Sequence, residues 1–152
     1  MLGVAGFIIF KDDKDHETNN FEASFIKTTK MNETNNVRTE IKGIILALQT
    51  LGIQFLEYSS DVTLFTDCNA VVNLVGRRAS LEANKYISKK SKSVLANADI
   101  YKELFELFDK FKPKIIWVKG HSPQKENDLI QKNFSFIDRL VRKKLRTALL
   151  IS

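Results

Sequence analysis

Residues 61–66, DVTLFT, constrain the fold more than any other stretch of this chain. They are apolar or β-branched almost throughout and leave no polar face. A strand with this composition is covered by protein on both sides, as in parallel sheets flanked by helices. The stretch runs into TDC, so an acid, Asp67, stands where the strand stops, and a short helix, NAVVNLV, follows at once. Ligands of open α/β sheets bind in the crevice beyond the carboxyl ends of the strands, which makes Asp67 a candidate functional residue.

The other elements fit around this strand. Residues 2–10 form an apolar run, KDDKDHETNN is a long hairpin connection, and residues 21–30 alternate as a partner strand. From Asn36 the period changes: Ile41, Ile44, Ile45, Leu48 and Leu51 fall at helical spacing. About four turns are expected, with Asn36 as N-cap. Residues 77–98 are polar, basic and weakly periodic. A helix follows over residues 99–111, ended by Pro113, and KIIWVKG is another buried strand. After the polar loop HSPQKENDLIQKN, Phe134, Ile137, Val141 and Leu145 make the apolar stripe of a last helix. The order is strand, strand, helix, strand, helix, helix, strand, helix, which predicts an α/β mixed sheet, antiparallel first and parallel after.

A chain of 152 residues suits one domain over 1–152. The single cysteine, Cys68, excludes an internal disulfide and fits a reducing, cytoplasmic setting. MLGVAGFIIF lacks the basic flank and cleavage site of a signal peptide, and no apolar stretch is long enough for a membrane span. The net charge of +6 favours a polyanionic partner such as nucleic acid, although charge alone does not single one out.

Three acids stand at informative places, and each has an ordinary alternative. Glu40 lies in the first turn of its helix, where a carboxylate also favours the dipole. Asp67 also suits the N-cap of the helix after it. Asp138, beside the core-facing Ile137, also suits an ion pair with Arg142 at i+4. Their joint occurrence in this order of elements favours a shared site.

Here a resemblance becomes specific. NNVRTEIKGIILALQTL resembles the first helix of the ribonuclease H family, bacterial type 1, with its glutamate after an Asn-rich turn. DVTLFTDCNAVVNL is similar to the family's fourth strand and following helix, and IIWVKGHSP to its fifth strand and W-V-K-G-H signature. FSFIDRLVRKKLR is similar to the helix with the last aspartate, and GVAGFIIF to the second strand with its G-x-G-A pattern. The likeness covers residues 3–146.

The resemblance implies a five-stranded mixed sheet flanked by helices and an endonuclease that hydrolyses the RNA strand of RNA–DNA hybrids. It implies Glu40, Asp67 and Asp138 as ligands of Mg²⁺, or Mn²⁺, and His121 as a loop residue assisting proton transfer or product release. Two such ions about 3.5–4 Å apart neutralise charge on the attacking and leaving oxygens of an in-line displacement, and hard cations take oxygen ligands. The hybrid partner has a wide, shallow minor groove exposing 2′-hydroxyls. Asn35, Asn36 and Asn69 flank the site with amides able to bond them, although capping and solubility explain them equally. Residues 77–92 hold Arg77, Arg78, Lys85, Lys89, Lys90 and Lys92 against one acid, Glu82, where family members place a basic handle; a solvated helix face is the alternative. Arg139, Arg142, Lys143, Lys144 and Arg146 add charge on the last helix.

The likeness breaks at the start. The family opens with a central strand bearing a catalytic aspartate, and here no aspartate precedes Gly3. Sliding the register to place Asp12 at the end of a first strand leaves no room for two more before Glu40. The first strand is therefore expected to be absent from this chain, and the domain to be incomplete at its N-terminus. A true start upstream is the favoured explanation; a strand donated by a partner or second copy, and a degraded relative, are the others. The readings that compete with the nuclease are a catalytically silent module that binds hybrid or duplex, a transposase or junction nuclease on the same fold, and a plain α/β domain.

Overall fold

The computed structural model describes residues 2–9, 25–32, 35–56, 62–118, 132, 134–140, 142 and 143. Strand β1 is Leu2–Ile9 and β2 is Phe25–Asn32; they pair antiparallel from Leu2↔Asn32 to Ile9↔Phe25. Helix α1 is Asn36–Gln54, β3 is Thr63–Thr66 and α2 is Asn69–Ala83. Helix α3 is Ala98–Phe111 and β4 is Lys114–Trp117. Strands β3 and β4 are parallel, with Thr63 opposite Lys114 and Thr66 opposite Trp117. Residues 134–140 are helical. The element order and the sense of each pairing follow the sequence. The pairs nonetheless stand as two separate two-stranded sheets, and no described strand joins β1 or β2 to β3 or β4.

Helix α1 lies on β1 through small residues. Thr39 faces Gly3, and Gly43 faces Ala5. A step of two along the strand thus meets a step of four along the helix, the natural repeat of each. A Cβ on Gly43 would stand 2.7 Å from that of Ala5, so glycine is what lets the backbones approach.

The other face of α1 forms the core with α2 and α3. Ile41, Ile45, Leu48 and Leu51 meet Val71, Leu74 and Leu81 and the buried side of α3, with Ile100, Leu104, Phe105, Phe108 and Phe111. Leu64 and Ile115 of β3 and β4 pack against this cluster half-buried. Phe134 and Ile137 are half-buried too, as the stripe of the last helix requires; Val141 and Leu145 lie outside the described side chains.

Three sequence expectations change. The α1 N-cap is Asn35, whose Oδ1 accepts the Arg38 N–H at 2.8 Å; Asn36 is the first helical residue. Glu40 therefore falls beyond the first turn, which holds no acid, so the helix-dipole explanation for it weakens. Helix α2 runs well past NAVVNLV and takes in Arg77 and Arg78. Lys112 ends α3 in the left-handed conformation, φ 46°, one residue before Pro113.

Arg38 fastens α1 to the start of α3. Its guanidinium donates to both Asp99 oxygens, at 2.8 and 2.5 Å, and to the Ala96 carbonyl at 3.4 Å. The Arg38 hydrogen bonds hold the Asp99 carboxyl down at about 2, against an ordinary 3.8. A lowered carboxyl pKa gives stability that is present above 3.8 and lost as the pH falls through 3.8 towards 2. The Asp99 side chain is 63% exposed, which keeps the contribution to about 1 kcal/mol or less. In thermal unfolding, Asp99→Asn is expected to lower the midpoint slightly at neutral pH. It should also remove that part of the acid-induced loss; an unchanged acid limb would show that the pair contributes nothing.

Candidate active site

The site begins where β3 ends. The Val118 N–H donates to the Thr66 carbonyl at 2.8 Å, closing the parallel ladder at its carboxyl edge. The chain then turns through Asp67 and Cys68 into α2. Thr66 is buried, and its Oγ1 accepts the Cys68 N–H at 3.0 Å, which fixes the turn. Cys68, not Asp67, occupies the N-cap position, and it makes no side-chain cap bond. The capping explanation for Asp67 is thereby removed. Its side chain is exposed at the sheet end.

Glu40 approaches this turn from α1. It follows Thr39, which is buried against Gly3, and is itself exposed. Burial, and then the Glu40 carboxylate beside it, push the Cys68 thiol up to about 12.

Asp138 sits among the helical residues 134–140, exposed, with Arg142 Nη2 at 3.0 Å from its Oδ2. The ordinary i+4 ion pair is therefore present. His121 lies outside the described residues. Among the described residues, no three His, Cys, Asp or Glu side chains gather closely enough to hold a metal ion. The donor chemistry of Glu40, Asp67 and Asp138 suits a hard cation, since carboxylate oxygens are its preferred ligands, but the described side chains do not gather into a ligand set.

The proposed nucleic-acid residues separate into groups. Asn36 and Asn69 are exposed first residues of α1 and α2, whereas Asn35 uses its Oδ1 as the cap of α1. Arg77 is exposed on α2. Arg78 joins α2 to α3: its guanidinium donates to both Asp109 oxygens, at 2.5 and 2.7 Å, and to Glu82 at 2.8 Å, and it lies 4.9 Å above the Phe105 ring. Those bonds give Arg78 a packing role that the sequence did not reveal.

Lys85, Lys89, Lys90 and Lys92 are exposed on a folded loop, not on a helix face. Ile87 and Val94 pair as an antiparallel bridge, and the Ser88 N–H donates to the Ser93 carbonyl at 2.9 Å. Tyr86 anchors the base, buried, with the Lys102 ammonium 5.1 Å from its ring centre. Lys85, Tyr86 and Lys92 adopt positive φ, at 52°, 58° and 53°, which tightens the turns. The lysines are held by backbone bonds on a small basic hairpin.

Sequence reasoning missed Arg38 as the residue that fastens α1 to α3; it carries no local pattern, because it acts through Asp99, distant in sequence.

Comparison with known proteins completes the description. A ribonuclease H from Desulforamulus reducens is 33% identical over 98 residues, 63% of this chain and 58% of that protein. One from a Thermoanaerobacter species is 30% identical over 129 residues, 84% of this chain and 73% of that protein. The chain thus spans less than two thirds of the first relative's length. The solution structure of the PFV RNase H domain matches with a TM-score of 0.60 at 15% identity, covering 93% of this chain and 91% of that one, a likeness of fold. The family model for RNase H matches residues 2–145, nearly the whole chain. This chain belongs to the ribonuclease H family.

Proposed function

We propose that this chain is an endoribonuclease that hydrolyses the RNA strand of RNA–DNA hybrids with Mg²⁺, or Mn²⁺, as cofactor. The observation that supports this best is Asp67, exposed where β3 ends at its carboxyl edge, in a chain of this family. Glu40, Asp67 and Asp138 would hold the cations. When bound, those ions would neutralise charge on the attacking and leaving oxygens of the phosphodiester.

The chain's own residues supply the rest. Two exposed carboxylates beside one turn repel a phosphate backbone on their own, so a cation is what reconciles this site with a polyanionic substrate. Lys85, Lys89 and Lys90 of the hairpin draw in the backbone and make binding salt-dependent. The exposed amides of Asn36 and Asn69 suit 2′-hydroxyls in the minor groove. His121 is assigned the proton transfer or product-release step on the strength of its motif. The lone cysteine, free and buried, accords with a cytoplasmic protein.

The same reading gives the fold a fifth strand between β1 and β3, joining the two sheets and adding a further carboxylate. Among the described residues the two sheets are separate, and each has an edge that a strand would pair, which supports this. They also favour the second reading, a silent module that binds hybrid without cutting it.

Labelled RNA–DNA hybrid, incubated with the chain and Mg²⁺ beside duplex DNA and duplex RNA, separates the two. Hybrid-only cleavage that stops with EDTA is the expected result. Salt-dependent binding with no cleavage under Mg²⁺ or Mn²⁺ would overturn it for the second reading.

A further inference from the structure

We propose that Arg38 is a positioning residue that ties the basic hairpin of residues 85–95 to the start of α1. This rests on reading the hairpin lysines as contacts for the phosphates of a hybrid. The hairpin has two legs. The first is rooted at Tyr86, which is buried and whose N–H donates to the Leu81 carbonyl at 2.8 Å. The second leaves the hairpin after Leu95 and passes through Ala96 and Asn97 directly into α3. Arg38 grips that second leg from α1. Its Nη1 donates to the Ala96 carbonyl at 3.4 Å, to Asn97 Oδ1 at 3.5 Å and to Asp99 Oδ1 at 2.8 Å, and its Nη2 donates to Asp99 Oδ2 at 2.5 Å. The Arg38 backbone N–H meanwhile donates to Asn35 Oδ1, the cap of α1, at 2.8 Å. One residue thus reaches from the α1 terminus to the foot of the hairpin.

Helix α1 alone does not explain this arginine. It stands in the first turn, where a cation opposes the helix dipole. Its charge is answered from α3, where Asp99 sits in a first turn that favours an acid. The Arg38 side chain is 14% exposed, so it is engaged in this contact and not offered to a substrate. A planar fork that meets both carboxylate oxygens fixes direction as well as distance, which a lysine does not. The helices stay together without it, because Ile41 and Ile45 of α1 share the apolar core with Ile100 and Leu104 of α3. What the fork adds is a fixed setting of the hairpin relative to α1. Lys89 and Lys90 are then held at a set position from Asn36, so the phosphates and 2′-hydroxyls of one hybrid are met in register. Ordering the hairpin before the substrate arrives lowers the cost of binding it.

The first test is the residual dipolar couplings of the hairpin amides. In the wild type they are expected to fit one alignment frame with those of α1. In Arg38→Lys, which keeps the charge and loses the fork, they should depart from it. A common frame retained in Arg38→Lys overturns the proposal, whatever the chain binds. The second measurement is affinity for labelled RNA–DNA hybrid in EDTA over a range of salt. Arg38→Lys should weaken it several-fold and flatten its salt dependence, by about one unit of logarithmic slope for each displaced lysine. Gln49→Ala removes another α1–α3 bond, to Glu103 at 3.2 Å, nearer the other end of α1. It should leave affinity and slope as in the wild type. An unchanged slope in Arg38→Lys, or an equal loss in Gln49→Ala, also overturns the proposal. Asp99→Asn, which takes the anion from the fork, should reproduce the loss in weaker form, and wild-type binding there counts against it. If the wild type does not bind hybrid, the reading of the lysines as substrate contacts fails, while the dipolar couplings still decide whether Arg38 holds the hairpin.

Discussion

Asp67→Asn is expected to lower the single-turnover rate of hybrid cleavage by about a thousandfold or more while leaving the fold intact. A ligand contributing several kcal/mol of charge stabilisation through a bound cation corresponds to a factor of that size. Asparagine keeps the shape of the side chain and loses the charge. Stability should change little because Asp67 is exposed and does not cap α2. The thermal midpoint is the control for folding. Cleavage within a few-fold of wild type would remove Asp67 from the site. A collapse of the midpoint would instead reassign it to structure.

The largest effect on stability is expected from Leu104→Ala. Leu104 is fully buried in the cluster where α1, α2 and α3 meet. Removing most of a buried leucine loses transfer free energy and leaves a cavity, together about 3 kcal/mol. In a domain of this length that lowers the midpoint by roughly 6–12 °C. The effect should appear with or without Mg²⁺, because Leu104 touches the site only through the packing of α1. A shift of a degree or two would mean that the helical core is looser than its burial implies.

These two residues differ in how openly the sequence declared them. Asp67 was legible because an apolar, β-branched run leaves its following acid conspicuous, although β3 proves only partly buried, with Thr63 exposed and Leu64 and Phe65 half-buried. The α1 stripe was legible because Ile41, Ile45 and Leu48 repeat at helical spacing, and all three are buried. The full extent of α2 was not. Between Leu74 and Leu81 no side chain of that helix is buried, so its apolar period is too sparse to follow. The N-cap slipped by one because Asn35 and Asn36 are both good caps, and only the Arg38 N–H bond distinguishes them.

Long-range pairings were beyond reach for a different reason. Arg78 looked like one more charge in a basic segment until Asp109, 31 residues away, took its fork. The basic loop was visible as composition, yet its shape depends on backbone bonds such as Leu95 N–H to the Tyr86 carbonyl at 2.8 Å. Strand pairing was legible in sense but not in assembly. Alternation and composition distinguish antiparallel from parallel, whereas the described strands stand as two separate pairs that no local pattern foretold.

The central claim is that Glu40, Asp67 and Asp138 serve one cation site. It is tested most directly by titrating the isotopically labelled chain with Mg²⁺ and following the amide signals of those three residues. The account predicts that all three shift together along one binding curve, and that Asp67→Asn abolishes the shift at the other two. Signals that stay still, or an Asp138 that keeps its Arg142 pair unmoved while Glu40 and Asp67 respond, would contradict it.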